Sequence, residues 1–198
     1  LPKEIYEINK DKIVGLTTDP YKLNEIVQAI NSDIKIIQIA TDCVYDGKEG
    51  NYTENDFHNP LDVYGKSKSL GEVIDPNFLN IRCSIIGPEL KNKVSLMEWF
   101  LSHKDHEEVY GFEHHLWNGV TTLQFAQLLE NIMIHQKFNE YRKLNHVVHY
   151  APNHIVTKNE LLHLFNKVFQ RKIAIQATSD ISVHIVRTLD SVYSKPER

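Results

Sequence analysis

Tyr64 and Lys68, in the segment Val63-Tyr-Gly-Lys-Ser-Lys68, are a phenol and an ammonium four residues apart. On a helix such a pair shares one face, because side chains at i and i+4 lie one above the other. A positive charge beside a phenol favours its ionised form, moving a group of reference pKa about 10 toward proton transfer at neutral pH. Upstream, Thr41 ends an isoleucine-rich run and opens Thr41-Asp-Cys-Val-Tyr-Asp-Gly47. Its hydroxyl could hydrogen-bond the same substrate oxygen. Together the three groups suit carbonyl reduction or alcohol oxidation by hydride transfer. Tyr-x-x-x-Lys alone is a weak signal. Its order raises it: a polar strand end, an acidic loop with Asn59-Pro60, the Tyr/Lys helix, then an apolar strand from Phe78 to Ile86.

The elements that must position these groups are legible as periodicities. Asp19-Pro20 reads as an N-cap with proline in the first helical turn, followed by Leu23, Ile26, Val27 and Ile30 at helical spacing. Ile34 to Ala40 is apolar except at Lys35 and Gln38, as expected of a parallel strand covered on both faces by helices. A helix from Tyr64 to Ile74, ended by Asp75-Pro76, leads into the Phe78–Ile86 strand. This αβαβ order predicts a doubly wound α/β sheet with active residues at the carboxyl ends of its strands. Beyond Gly87-Pro88 the pattern changes: Ser95/Glu98 and Thr157/Glu160 each fit a capping box and predict helix starts. Phe125, Leu128, Leu129, Ile132 and Met133 form one apolar stripe, and Leu161, Leu162, Phe165, Val168 and Phe169 another. Val147 to Tyr150 reads as a strand, and Tyr110 to Thr121 as a loop crossing near the cleft.

Composition narrows the function classes. The chain has 198 residues, 41% of them hydrophobic, and a formal net charge of −4, with Lys and Arg scattered rather than striped. That argues against nucleic-acid binding, and no apolar run is long enough to cross a bilayer, so the cytoplasm is the default location. Cys43 and Cys83 read as strand thiols in packing roles rather than a disulfide. His103, His106, His114 and His115 lie among acids, but no H-E-x-x-H or cysteine pair supports zinc. The run Asp105–Glu108 reads as a solvated loop.

The stretch from Ile36 to Gly87 resembles the extended short-chain dehydrogenase/reductase family, most closely its dTDP-4-dehydrorhamnose reductase-like branch. The resemblance rests on Thr41-Asp42-Cys43-Val44-Tyr45-Asp46-Gly47, Tyr52-Thr53-Glu54, Asn59-Pro60-Leu61, Tyr64-Gly65-Lys66-Ser67-Lys68 and Gly71-Glu72, in that order. It implies a Rossmann-like fold, a nucleotide-linked 4-keto-deoxysugar as substrate, and NADPH or NADH as hydride donor. Tyr64 would give a proton to the ketone, Lys68 would hold the nicotinamide ribose and keep Tyr64 acidic, and Thr41 would orient the carbonyl oxygen. Ser84, Ile85 and Ile86 match the stretch that lines the nicotinamide, though the isoleucines equally suit a buried strand end. Asp42 and Cys43 accompany Thr41 at the substrate. Trp117, in Trp117-Asn118-Gly119-Val120-Thr121-Thr122, either borders the substrate or anchors packing. Lys91, Lys93 and Arg187 are candidates for the substrate diphosphate. The resemblance also implies a magnesium association without assigning carboxylates to it. Ala40 replaces the family's usual serine before the threonine.

One family feature has no match in the given chain. The eight glycines never form the Gly-rich turn that binds a cofactor pyrophosphate at a helix N-terminus. Leu1-Pro2-Lys3-Glu4 resembles the middle of a family member, so the chain reads as the C-terminal half of the nucleotide-binding fold plus a small mixed α/β lobe. On that reading residues 1–88 hold the rest of the NAD(P)-binding domain, and 89–198 are mainly the substrate lobe with some elements returning to the main sheet. An unpaired strand edge would favour a homodimer or a covering partner. Two alternatives stand beside the reductase: a sugar-nucleotide epimerase or dehydratase using the same Tyr/Lys pair, and a non-catalytic binding or regulatory subunit. Asp42-Cys43 offers only one acid where a dehydratase needs an acid–base pair, which favours the reductase.

Overall fold

A computed structural model describes residues 19–90, 93–179 and 185–193. The opening residues Leu1–Glu4, and Lys91, lie outside them. Helix α1 (Pro20–Ile30) begins where expected, with the Asp19 carboxylate accepting from the backbone N–H of Tyr21 and Lys22 at 3.0 and 3.2 Å. It leads to β1 (Ile36–Thr41), a 3₁₀ turn (Asp42–Val44), α2 (Val63–Leu70) and β2 (Phe78–Cys83). Strand β1 pairs in parallel with β2, and β2 with β7 (Val147–His149), giving the parallel order β1-β2-β7. The α/β expectation therefore holds.

Strand β2 is buried along its whole length, but β1 is not: Ile39 is 48% exposed. Among the described residues helices cover β1 only in part: Ile37 packs against the main-sheet cluster, α2 contacts the strand, and Ile39 stays uncovered on what is the edge of the described strands. Helix α2 also stops earlier than expected, at Gly71 rather than Ile74. Glu72 leaves the helical path and its carboxylate meets Arg82 of β2 at 2.7 Å. The Phe78–Ile86 strand is broken at Ser84 into β2 and β3 (Ile85–Ile86).

The second half builds a lobe from short strands. β4 (Glu108–Phe112) runs parallel to β9 (Ala174–Thr178), β5 (His115–Trp117) lies between β10 (Ile185–Val186) and β8 (Val156–Thr157), and β3 pairs with β6 (Val120–Thr121). The expected loop over Tyr110–Thr121 is thus largely strand. In β4 residues alternate exposed and buried along the strand, a period of two that a five-residue stretch with Gly111 did not advertise. Helices α3 (Leu96–Ser102) and α6 (Lys158–Val168) pack on this lobe through Met97, Phe100, Leu161, Leu162 and Phe165, whereas Val168 and Phe169 of the expected stripe are 69% and 41% exposed. Helix α4 (Thr122–Ile134) returns to the main sheet, where Phe125, Leu128 and Ile132 join Leu79, Ile81 and Cys83, with Met133 left outside. Phe138 of α5 (Phe138–Leu144) completes that cluster. None of the helices among the described residues is long and apolar enough to cross a membrane.

Candidate active site

The carboxyl end of β1 is where the chemistry gathers. Thr41 caps the 3₁₀ turn, its hydroxyl accepting from Cys43 N–H at 3.2 Å and donating to the Asp42 carboxylate at 3.1 Å. Helix α2 crosses directly over this turn because residue 65 has no side chain: a Cβ there would lie 2.2 Å from the Cys43 carbonyl oxygen. That close approach brings the Tyr64 hydroxyl near enough to Thr41 for the threonine to favour its ionised form. Lys68, one turn on, stands over the Tyr64 ring, 5.8 Å from its centroid. The structure therefore brings Thr41, Tyr64 and Lys68 together. The expected acidification does not follow, since burial first and the Cys43 thiol next push the Tyr64 phenol above its ordinary range. The ammonium sits over the ring rather than at the oxygen, where its field on the phenolate would be strongest.

Behind Thr41 lies a buried polar string. Asp42 is 8% exposed, and burial raises its carboxyl above the usual range, while Thr41, Arg187 and Ser84 pull it down. The Ser84 hydroxyl in turn accepts from the Trp117 indole N–H at 2.9 Å. Trp117 is thus anchored on the site and also borders an apolar cleft of about 700 Å³ that includes Ile86, Met97, Leu161 and Phe165. Ile85 packs against the main-sheet cluster and Ile86 against the lobe cluster, so both isoleucines serve the core where they stand. Cys43 and Cys83 are free thiols, Cys83 pushed up to about 12 by burial.

Arg187 reaches the site from the far end of the chain. The loop after Thr41 is stitched to β10 and its continuation: Val186 N–H donates to Gly47 O at 2.7 Å and Tyr52 N–H to Thr188 O at 2.9 Å. Arg187 Nε then donates to Tyr45 O at 3.2 Å, and an Nη lies 3.8 Å from Cys43 Sγ. Lys93 is exposed on the loop before α3. Among the described residues no group of three or more His, Cys, Asp or Glu side chains is placed to hold a metal ion.

A family model described as the RmlD substrate binding domain matches residues 20–182. The chain belongs to this family. Similar curated members include a dTDP-4-dehydrorhamnose reductase from Aggregatibacter actinomycetemcomitans, 43% identical over 61 residues, which are 28% of this chain and 21% of that protein. The beta subunit of methionine adenosyltransferase 2 from Danio rerio is 57% identical over 37 residues, 19% of this chain and 12% of that protein. The matches thus span about a fifth or less of those two proteins. Among solved structures, a hypothetical dTDP-4-dehydrorhamnose reductase from Sulfolobus tokodaii superposes with a TM-score of 0.67 at 23% identity, covering 96% of this chain and 68% of that one. The Bacillus anthracis dTDP-4-dehydrorhamnose reductase in complex with NADP gives 0.57 at 18% identity, covering 75% and 52%. These likenesses show the Rossmann-like fold.

One RmlD-domain residue at the site carried no signal in the sequence. Lys158, the first residue of α6, is half-buried, and its pKa is drawn down by burial and then by Arg187, with Asp42 opposing. It follows a capping box that is fully formed, Thr157 with Glu160, and reads in sequence as an ordinary helix start.

Proposed function

We propose that this chain carries the catalytic and substrate-facing part of an NAD(P)H-dependent reductase acting on a nucleotide-linked 4-keto-deoxysugar, as the similar bacterial reductases are named. The observation that carries the reading is the convergence of Thr41, Asp42 and Tyr64, with Lys68 over the ring, at the carboxyl end of a parallel strand. The residues fit a nicotinamide cofactor in kind. Lys68 is exposed, and among the described residues no ion pair engages its ammonium, leaving three donors for ribose hydroxyls. When bound, that cofactor supplies the hydride.

The chain's own residues do the rest. Tyr64, with its pKa raised, is protonated at neutral pH and is in the state required to donate to a carbonyl oxygen that gains negative charge. The Thr41 hydroxyl orients that oxygen, held by its own bond to Asp42. Asp42 and Cys43 line the substrate side of the turn, and Trp117 and Arg187 border it from the lobe. Ser84, Ile85 and Ile86 form the wall behind the nicotinamide. On this reading residues 1–88 belong to the nucleotide-binding domain and 89–198 mainly to the substrate lobe. The enzyme would work in the cytoplasm on a precursor of cell-surface polysaccharide. The test is product analysis of the full-length protein with dTDP-4-dehydrorhamnose and excess NADPH. Stoichiometric cofactor oxidation is expected, and its absence removes the reading.

A second reading is favoured by the 57% local identity to an enzyme's beta subunit. The chain would then bind and stabilise a partner protein without turnover. Size-exclusion mass measured alongside a nucleotide titration separates the two.

A further inference from the structure

Three short strands bring two cations to one place. Val186 of β10 and Thr157 of β8 both pair with Leu116 of β5, one from each side. Arg187 follows Val186 where β10 ends, and Lys158 follows Thr157 as the first residue of α6. The two cations therefore leave the two flanks of β5 at the level of one residue. The two cations sense each other and Asp42 electrostatically.

Charge does not balance there. Among the described residues neither Lys158 nor Arg187 has a carboxylate within ion-pair distance, and no hydrogen bond engages the Lys158 ammonium. Asp42 interacts with both, and burial disfavours its charge. Lys158 also opens a helix, where the macrodipole favours an anion over a cation. Two like charges held together in a half-buried site are costly unless a ligand of opposite sign joins them. Arg187 is pre-set for such a ligand: its Nε is held by the Tyr45 carbonyl, and one Nη lies 3.8 Å from Cys43 Sγ. A guanidinium offers a fork and an ammonium a point charge, a combination suited to phosphate oxygens.

We propose that Lys158 and Arg187 together form the anion subsite of the substrate pocket and bind the diphosphate of a nucleotide-linked sugar beside Cys43, two residues from Thr41 of the Thr41–Tyr64 pair. The assignment rests on the reading that the chain takes a nucleotide-linked sugar, and Lys158 is its new element.

The experiment is calorimetric titration of the full-length protein at low salt with dTDP, inorganic pyrophosphate, thymidine and NADP⁺. The wild type should bind dTDP and pyrophosphate, Lys158→Gln should weaken both by about tenfold or more, and Lys158→Arg should restore most of the loss. Thymidine, which lacks phosphate, should bind both proteins alike. Without ligand, Lys158→Gln should melt at or above the wild-type temperature, since it removes an unpaired, half-buried charge. Unchanged dTDP affinity in Lys158→Gln overturns the proposal. So does a loss confined to NADP⁺, which would give the anion to the cofactor, and so does a lowered melting temperature in the absence of ligand, which would make the lysine structural. The reductase reading fails separately: dTDP binding that depends on Lys158 without NADPH oxidation keeps the subsite and removes the activity. Oxidation with an unchanged KM in Lys158→Gln does the reverse.

Discussion

Two arginines in this molecule meet opposite treatment. Arg82, on the central strand, is 3% exposed and fully engaged: Nε and Nη2 each donate to Glu72 at 2.7 Å, and Nη1 donates to the Tyr45 hydroxyl at 2.6 Å and to His149 Nε2 at 3.1 Å. His149 Nδ1 faces the carbonyls of Tyr52 and Asp190 at 3.1 and 2.8 Å, so that nitrogen carries the proton and Nε2 is free to accept. Arg187, at the site, donates to a backbone carbonyl and a thiol, has no carboxylate at ion-pair distance among the described residues, and shares the field of the buried Asp42 with Lys158. A buried charge that serves the fold is saturated, because an unsatisfied one would cost several kcal/mol. Where a charge is left open near a cleft, its partner has to come from outside.

The largest effect that would test this contrast is on stability. Arg82→Met strands the Glu72 carboxylate in the core and should cost about 3–5 kcal/mol in urea denaturation, against about 1 kcal/mol or less for Arg187→Met. Equal losses would erase the distinction. At the site the ranking inverts: Tyr64→Phe should lower NADPH-dependent turnover about a hundredfold or more. Its melting temperature should stay near wild type, because the phenol is 53% exposed. Catalysis that survived this change would place the proton donor elsewhere.

A smaller effect follows from the histidines of the saturated network. Burial first, and Arg82 further, hold His149 below its usual range, with Glu54 opposing, and His58 is likewise lowered by burial and Arg82 against Glu72. A base whose folded pKa is depressed gives stability that is complete above its unfolded value of about 6.5 and lost as pH falls through that value toward the folded one. Denaturation midpoints should therefore decline between about pH 7.5 and 5.5, and a flat profile over that window would contradict neutral, saturated histidines. The smallest effect compares two helix starts. Thr157→Ala breaks a formed capping box and should cost about 1 kcal/mol. Ser95→Ala should be nearly neutral, because the Ser95 hydroxyl makes no capping bond.

That last pair shows how far a local pattern reaches. Ser95/Glu98 and Thr157/Glu160 are the same motif in sequence, yet only the second closes. The Glu98 carboxylate is taken by the backbone N–H of Glu89, a competitor that becomes visible only once the loop is folded. Thr121/Gln124, at the end of the stretch expected as a loop, forms a full capping box. Helix α2 was legible at its start but not at its end, because Gly71 and the pull of Arg82 on Glu72 outrank the apolar run up to Ile74. Short lobe strands such as β6 and β10 span two residues each, too few for any period to register.

What the chain alone determined was the αβαβ order, the Asp19 and Thr157 helix starts, the family, and the candidate roles of Thr41, Tyr64 and Lys68. All of these are set by local patterns or by the order of motifs along the chain. Tertiary structure decided the rest: that burial lifts the Tyr64 phenol despite Lys68, that Trp117 is tied to Ser84, and that Lys158 and Arg187, far apart in the chain, approach one buried acid. Desolvation and charge proximity are properties of position in space, and spacing along a sequence does not encode them until the strands between have paired.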